Sequence, residues 1–244
     1  WFDYEPDGTI DETDEEFWAS ELYGGELPEG STLASYEPEI VDSYEIGLKG
    51  EFLGNTLKVN VGAYFYDYSD FQGIFPNAGG VVIKNIGQAE GQGVEFDVTY
   101  LPSDNLRLYL ATAIQSSEVI EGDGLDGESI KGQKLAAPDL TISFVGSYYW
   151  YLENDIDLTL QVSYNWQTET FGSEFLGGTD LLEQDAYGVA GLQFNATSLN
   201  WQISAYVDNL TDELYYEGAV EDTGINRFGI GRGRNAGVKF KYSF

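Results

Sequence analysis

The sequence predicts an all-β protein: about nine antiparallel strands, connected up and down, forming the wall of a transmembrane β-barrel. Three observations predict it. Side chains alternate between apolar and polar over many stretches, the connections alternate between short and long, and several alternating stretches run beyond ten residues. Successive side chains on a strand point to opposite faces, so strict alternation means one apolar and one polar face.

The first two strands are expected over about 41–54 and 56–70. In the second, Leu57, Val59, Val61, Ala63 and Phe65 share a face opposite Lys58, Asn60, Gly62 and Tyr64. A third follows over 82–101, and a fourth over 106–119, where Leu106, Leu108, Leu110, Thr112 and Ile114 alternate with Arg107, Tyr109, Ala111, Ala113 and Gln115. The fifth, over 139–152, sets Leu140, Ile142, Phe144, Gly146, Tyr148 and Trp150 against Thr141, Ser143, Val145, Ser147 and Tyr149. The sixth, over 156–170, gives the cleanest pattern. There Ile156, Leu158, Leu160, Val162, Tyr164 and Trp166 oppose Asp157, Thr159, Gln161, Ser163, Asn165 and Gln167. The remaining strands are expected over 185–196, 200–216 and 231–244.

Short turns fall at Gly54–Asn55, Pro102–Asn105, Glu153–Asp155 and Thr197–Leu199, and long loops near 71–81, 120–138, 171–184 and 217–230. Short turns at one end and long loops at the other are the mark of an outer-membrane barrel. Strands of a soluble sandwich average only about 5–6 residues. The polar faces carry charge at Glu45, Lys49, Glu51, Lys58, Glu95, Asp97, Arg107, Lys239 and Lys241. Desolvating these groups in a sealed core would be costly, whereas a wet or plugged lumen leaves them hydrated. Aromatic residues near the expected strand ends, such as Tyr64 to Tyr66, Tyr148 to Tyr151, Tyr164, Trp166, Tyr215 and Tyr216, suit an interfacial girdle or ordinary cross-strand packing.

Composition narrows the chemistry. There is no Cys and no His, which removes disulfides, thiolate metal sites, Ser–His triads and most zinc sites. The formal charge of -31 would repel nucleic acid. Residues 1–48 lack any Lys or Arg, while Arg227, Arg232, Arg234, Lys239 and Lys241 crowd the last stretch. No apolar run reaches the length of a membrane helix, which leaves a barrel untouched. The chain opens at Trp1 without Met or a leader pattern, as expected of a processed or truncated product.

Other patterns carry little. The acidic, Gly-rich loop from Glu121 to Glu128 offers oxygen ligands for Ca²⁺ but lacks EF-hand spacing. Asp11 to Glu16 is an acidic run suited to a solvated loop or a short helix, and the glycines of 229–234 sit in no strand–turn–helix context and read as the start of the last strand. Asn195 and Asn209 begin sequons, but they fall at a turn and a strand end of the expected barrel. Nothing fixes a carboxylate pair at glycosidase separation. No catalytic, cofactor or metal site is assigned, and the chain is not expected to be an enzyme.

Four segments resemble a known family. The chain end, with Gly237, Phe240, Tyr242 and a terminal Phe244, resembles the signal by which outer-membrane barrels are recognised for assembly. Ser43 to Lys49, reading SYEIGLK, resembles a strand of TonB-dependent receptors. Asn85, Gly87, Ala89, Gly93, Val94 and Glu95 resemble their NxGxAxxxGVE pattern, and Asn209 to Tyr215 their NLTDxxY segment. The resemblance covers residues 36–244. It implies a bacterial outer-membrane barrel of about 22 strands, occluded by a plug, of which this chain is the C-terminal portion. Residues 1–40 would then be an acidic extracellular loop region and 41–244 the barrel wall. The family implies uptake of a ferric siderophore or another scarce metal chelate. The implied partners are outer-membrane lipid, the barrel-assembly machinery, and TonB acting through a plug and box not recognised in this sequence. A passive porin-like barrel and a soluble secreted Ca²⁺-binding β module are the alternatives.

Overall fold

A computed structural model of the chain describes residues 36–77, 80–124, 127–153, 155–170, 184–222 and 225–244. The acidic run Asp11 to Glu16 and most of the expected 1–40 and 171–184 loops lie outside the described residues. The described strands are β1 (Ile40–Phe52), β2 (Leu57–Asn77), β3 (Gly80–Ser103), β4 (Leu106–Gly122), β5 (Leu140–Leu152), β6 (Ile156–Gln167), β7 (Tyr187–Thr197), β8 (Trp201–Asp208), β9 (Tyr216–Asp222), β10 (Ile225–Ile230) and β11 (Asn235–Tyr242). Nine of them form one open antiparallel sheet in the order β1-β2-β3-β4-β5-β6-β7-β8-β11, and β9 and β10 make a separate hairpin.

The register is what turns alternation in each strand into two continuous faces. Phe52, Leu57, Tyr100, Leu108, Gly146, Val162, Leu192, Val207 and Ala236 are paired in succession, an unbroken row across all nine strands without one charge. The neighbouring row on the other face begins Glu51, Lys58, Thr99, Tyr109, Val145 and Ser163. A slip of one residue in any pair would exchange these faces.

The apolar face has no protein cover. Among the described residues only Phe71, Ile86, Ala89, Val119 and Ile130 are buried apolar side chains, whereas Ile46 is 77% and Phe240 67% exposed. A continuous exposed apolar surface of this extent would not persist in water, so lipid is its solvent. Its upper limit is marked by Asp42, Asp67, Glu90 and Glu118, paired in one row on that same face. Carboxylates cannot sit in hydrocarbon without large cost, so the membrane belt ends below them. From Tyr44 to Phe52 the span is about nine residues, the length a tilted strand needs to cross.

The sheet departs from expectation in two places. The expected loop at 71–81 is strand: β2 and β3 run on to Asn77 and from Gly80. Gly73, Pro76, Asn77 and Gly80 interrupt the apolar–polar alternation here, because this hairpin stands above the membrane, where two-faced alternation is not required. The expected strand over 200–216 stops at Asp208, because Asn209 and Asp212 adopt left-handed backbone with φ of 50° and 58°. The expected loop at 217–230 is the β9–β10 hairpin, and the last strand starts at Asn235 rather than 231.

The two-faced sheet makes a sharp demand. Val162→Arg, at mid-belt on the apolar face, should cost about 2–4 kcal/mol, while Ser163→Arg on the opposite face should cost far less. Urea unfolding in detergent micelles measures both.

Candidate ligand-facing wall

The polar face is shaped by size as well as charge. Tyr64, Tyr66 and Tyr68 project from β2 on this face, and their partners on β3 are Gly93, Gly91 and Ala89. The small partner Gly93 lets the Tyr64 ring lie across β3, whereas the Tyr66 hydroxyl leans back to Glu45 Oε1 on β1 at 3.5 Å. Ring centroids are 4.9 Å apart for Tyr64 and Tyr66, 6.5 Å for Tyr66 and Tyr68, and 5.9 Å for Tyr68 and Phe71. The result is an aromatic ladder climbing from mid-wall to the rim. A methyl group on Gly93 would collide with the Tyr64 hydroxyl, so glycine is required for the ring to cross. The Tyr64 hydroxyl then donates to Gln115 Oε1 on β4 at 3.1 Å, and Gln115 Nε2 donates to the Pro138 carbonyl at 2.9 Å.

Below the ladder lies an open hollow of about 440 Å³, floored by Gly47, Gly62, Ala111 and Ala113 and flanked by Lys49, Glu95 and Asp97. Asn60 Nδ2 donates to both Asp97 carboxylate oxygens at 3.0 Å each, which fixes the acid's orientation. Glu51 pairs with Lys58 at 2.8 Å, but both are half exposed, so the pair adds little stability.

Above the ladder the polar face turns apolar. Phe71, Ile86, Ala89, Val119 and Ile130 form the buried cluster, with Tyr68 and Leu135 packed against it. Ala89 and Val119 are paired on the face that lower down carries Glu95 and Asp97, so the cluster lies inside the wall. Ile130 and Leu135 belong to the β4–β5 connection, which folds inward over β4. Val119 N donates to the Gln133 carbonyl at 2.9 Å and Leu135 N to that of Ser117 at 3.1 Å. Outside the membrane, hydrogen bonding to Asp139 holds the Lys134 ammonium above the usual lysine range. Part of the proposed Ca²⁺ loop, residues 125 and 126, lies outside the described residues.

The sequence patterns at 85–95 and 209–215 acquire physical reasons here. Asn85 Nδ2 donates to the Glu37 and Asp70 carbonyls at 2.9 and 2.6 Å, tying the segment before β1 to the bulge in β2. Gly87 has φ of +138°, and any side chain would strike the backbone of Glu121 and Gly122. Ala89 is fully buried within the cluster. Asn209, also buried, donates to the Glu213 and Arg232 carbonyls at 2.8 and 3.1 Å and accepts from Glu213 N at 2.8 Å. The Asp212 carboxylate accepts from Arg234 N at 2.7 Å. Together they fasten both ends of the β9–β10 excursion. Tyr187 and Tyr215 stack beside it at 4.7 Å and 11°.

Of the residues singled out at the chain end, Gly237 lies on the polar face, where a methyl group would stand 2.7 Å from the Tyr206 hydroxyl. Phe240 and Tyr242 lie on the apolar face, and Phe244 packs edge-on to Tyr242 at 5.1 Å. The girdle reading is corrected for Tyr64 and Tyr66, which face the polar side, while Phe65 between them faces lipid. Parity counted from Leu57 carries that distinction. The inward cluster was missed, since Ile130 sits in a polar loop with no periodicity to reveal it.

The chain matches the family described as TonB dependent receptor-like, beta-barrel, over residues 19–210. It is 27% identical over 220 residues to the ferric-pyoverdine 358 receptor of Pseudomonas putida, covering 85% of this chain and 24% of that one. The ferric yersiniabactin uptake receptor of Yersinia pestis superposes with a TM-score of 0.72 at 16% identity, covering 89% of this chain and 32% of the other. The ferripyoverdine receptor of Pseudomonas aeruginosa gives 0.65 at 18% identity, covering 86% and 28%. The chain thus spans about a quarter of its curated relative's length.

Ile130→Ala should open the inward loop. Emptying a buried isoleucine site costs about 2–5 kcal/mol, and amide exchange at 117–135 should speed up while exchange in β6 stays unchanged.

Proposed function

Because the chain belongs to the TonB-dependent receptor-like β-barrel family, we propose that it is the C-terminal wall of an outer-membrane receptor taking up a ferric siderophore or a similar metal chelate. Residues 41–244 form the wall in this reading, and residues 1–40 an acidic extracellular loop. The observation that carries the ligand reading is the aromatic ladder, which offers ring faces and phenolic hydroxyls from the rim to the acid-flanked hollow. Such a surface suits a bulky chelate with flat, hydrogen-bonding groups. Two named relatives are pyoverdine receptors, which selects ferric pyoverdine as the first probe.

The wall makes and breaks no covalent bond. Its part is to hold ligand and confine it, while energy from the inner membrane, delivered by TonB to a plug, opens the path. Gly237, Phe240, Tyr242 and Phe244 are proposed to be read by the barrel-assembly machinery, to which the alternate outward rings would be presented along one strand edge.

Cells carrying the complete receptor should accumulate radiolabelled iron from ferric pyoverdine in a saturable way, and only with functional TonB. Accumulation that persists without TonB would favour a passive barrel. Tyr66→Ala with Tyr68→Ala should weaken ligand binding roughly tenfold, equivalent to about 1.4 kcal/mol. Deleting Phe244 should lower the amount of folded receptor in the outer membrane, read as heat-modifiable mobility, without altering the affinity of the receptor that does assemble.

A further inference from the structure

Cations are scarce in this chain, 11 Lys and Arg against 42 Asp and Glu. Yet Arg232, Lys239 and Lys241 line a single hollow of about 450 Å³ on the polar face of β7, β8 and β11. Asp208 is the one carboxylate in that lining, and Gln202 and Ser204 supply further donors. Among the described residues, none of the three cations forms an ion pair. The Lys239 ammonium instead lies 5.1 Å from the centre of the Tyr206 ring, whose position is set by Gly237 opposite it. Lys239 and Lys241 stand two residues apart on one face of β11, which separates them by about 7 Å.

Unneutralised like charges at that spacing repel, and the many carboxylates of the chain are placed elsewhere. The polar face is therefore divided. Glu45, Glu95 and Asp97 lie on β1 and β3, with Lys49 among them, whereas Arg232, Lys239 and Lys241 gather at the opposite edge of the sheet. We propose that this hollow is a binding site for a small polyanion, one carrying two or more carboxylate or phosphate groups about 7 Å apart. A single monovalent anion cannot bridge both ammonium groups. A polyanion can, and the ring beneath Lys239 holds that ammonium at the wall in readiness. The site lies along the last strand, away from the aromatic ladder of β2, and does not depend on which cargo the ladder contacts.

Amine acylation followed by mass spectrometry tests this on the receptor purified from outer membranes in detergent at low salt. Two probes are used, citrate and tripolyphosphate. A bound anion raises the pKa of a lysine it contacts. A rise of one pH unit lowers the free-amine fraction, and with it the acylation rate, about tenfold. Lys239 and Lys241 should be protected to that degree, while Lys49 on the acidic part of the wall keeps its reactivity. Protection by citrate alone identifies a polycarboxylate site, and by tripolyphosphate alone a phosphate site. Lys239→Gln with Arg232→Gln should weaken the apparent affinity roughly tenfold per lost charge, about 1.4 kcal/mol each. The unsubstituted protein keeps the test valid if those variants assemble poorly. The proposal is overturned by no protection, by equal protection at Lys49, or by lysines already unreactive without probe, which would mean that another part of the receptor fills the hollow.

Discussion

Inside hydrocarbon no water is present to pair with a stray amide or carbonyl, so every backbone group in the belt must find its partner along the ladder. That constraint explains why β1 to β8 and β11 pair without interruption through the membrane, and why register shifts fall towards the strand ends, high in the sheet between Tyr68 and Phe71 and between Gln88 and Ala89, and low beside the short turn between Tyr100 and Ser103. Where the wall leaves lipid, bulges and left-handed residues are tolerated. Asp70 adopts φ of 54° at the base of the extended β2–β3 hairpin, above the row of carboxylates that closes the belt.

Once pairing is fixed, side chains are the only freedom left, and the two faces use it differently. The lipid face needs only to be apolar, so Leu, Val, Ile and aromatic residues interchange along it. The polar face is written in detail. Glycine at 93 lets Tyr64 from the next strand lie across β3, Asn60 fixes the Asp97 carboxylate, and inward apolar residues at the rim fold a loop back over the wall. The function argued for this protein lives on that face, which is why a shared fold alone says little about ligand.

Much of the fold could be read from residues because period two is a one-dimensional signal. Ile156 to Gln167 and Leu140 to Leu152 reveal their strands directly, and the parity of β2 from Leu57 to Tyr68 places each side chain on its proper face. Boundaries failed where membrane ceased to impose that parity. Asn77 and Gly80 belong to strands that look like loop, and Asn209 ends a strand whose alternation continues in the sequence, because a buried side-chain amide and a left-handed backbone decide there. The aromatic ladder and the inward loop depend on which strand lies beside which. Tyr64 crossing Gly93 to reach Gln115 joins residues 51 positions apart, a relation that emerges only when the register is known.

One face of this wall meets lipid and the other meets water, and the chain lends itself to a direct test of that division because it contains no cysteine. Single cysteines placed at each position from Ile156 to Gln167 in the receptor, assembled in liposomes, would carry an environment-sensitive fluorophore. The predicted result is strict alternation, with lipid-soluble quenchers acting at 156, 158, 160, 162, 164 and 166 and water-soluble quenchers at the positions between them. Uniform quenching along the strand, or alternation of the opposite parity, would contradict it.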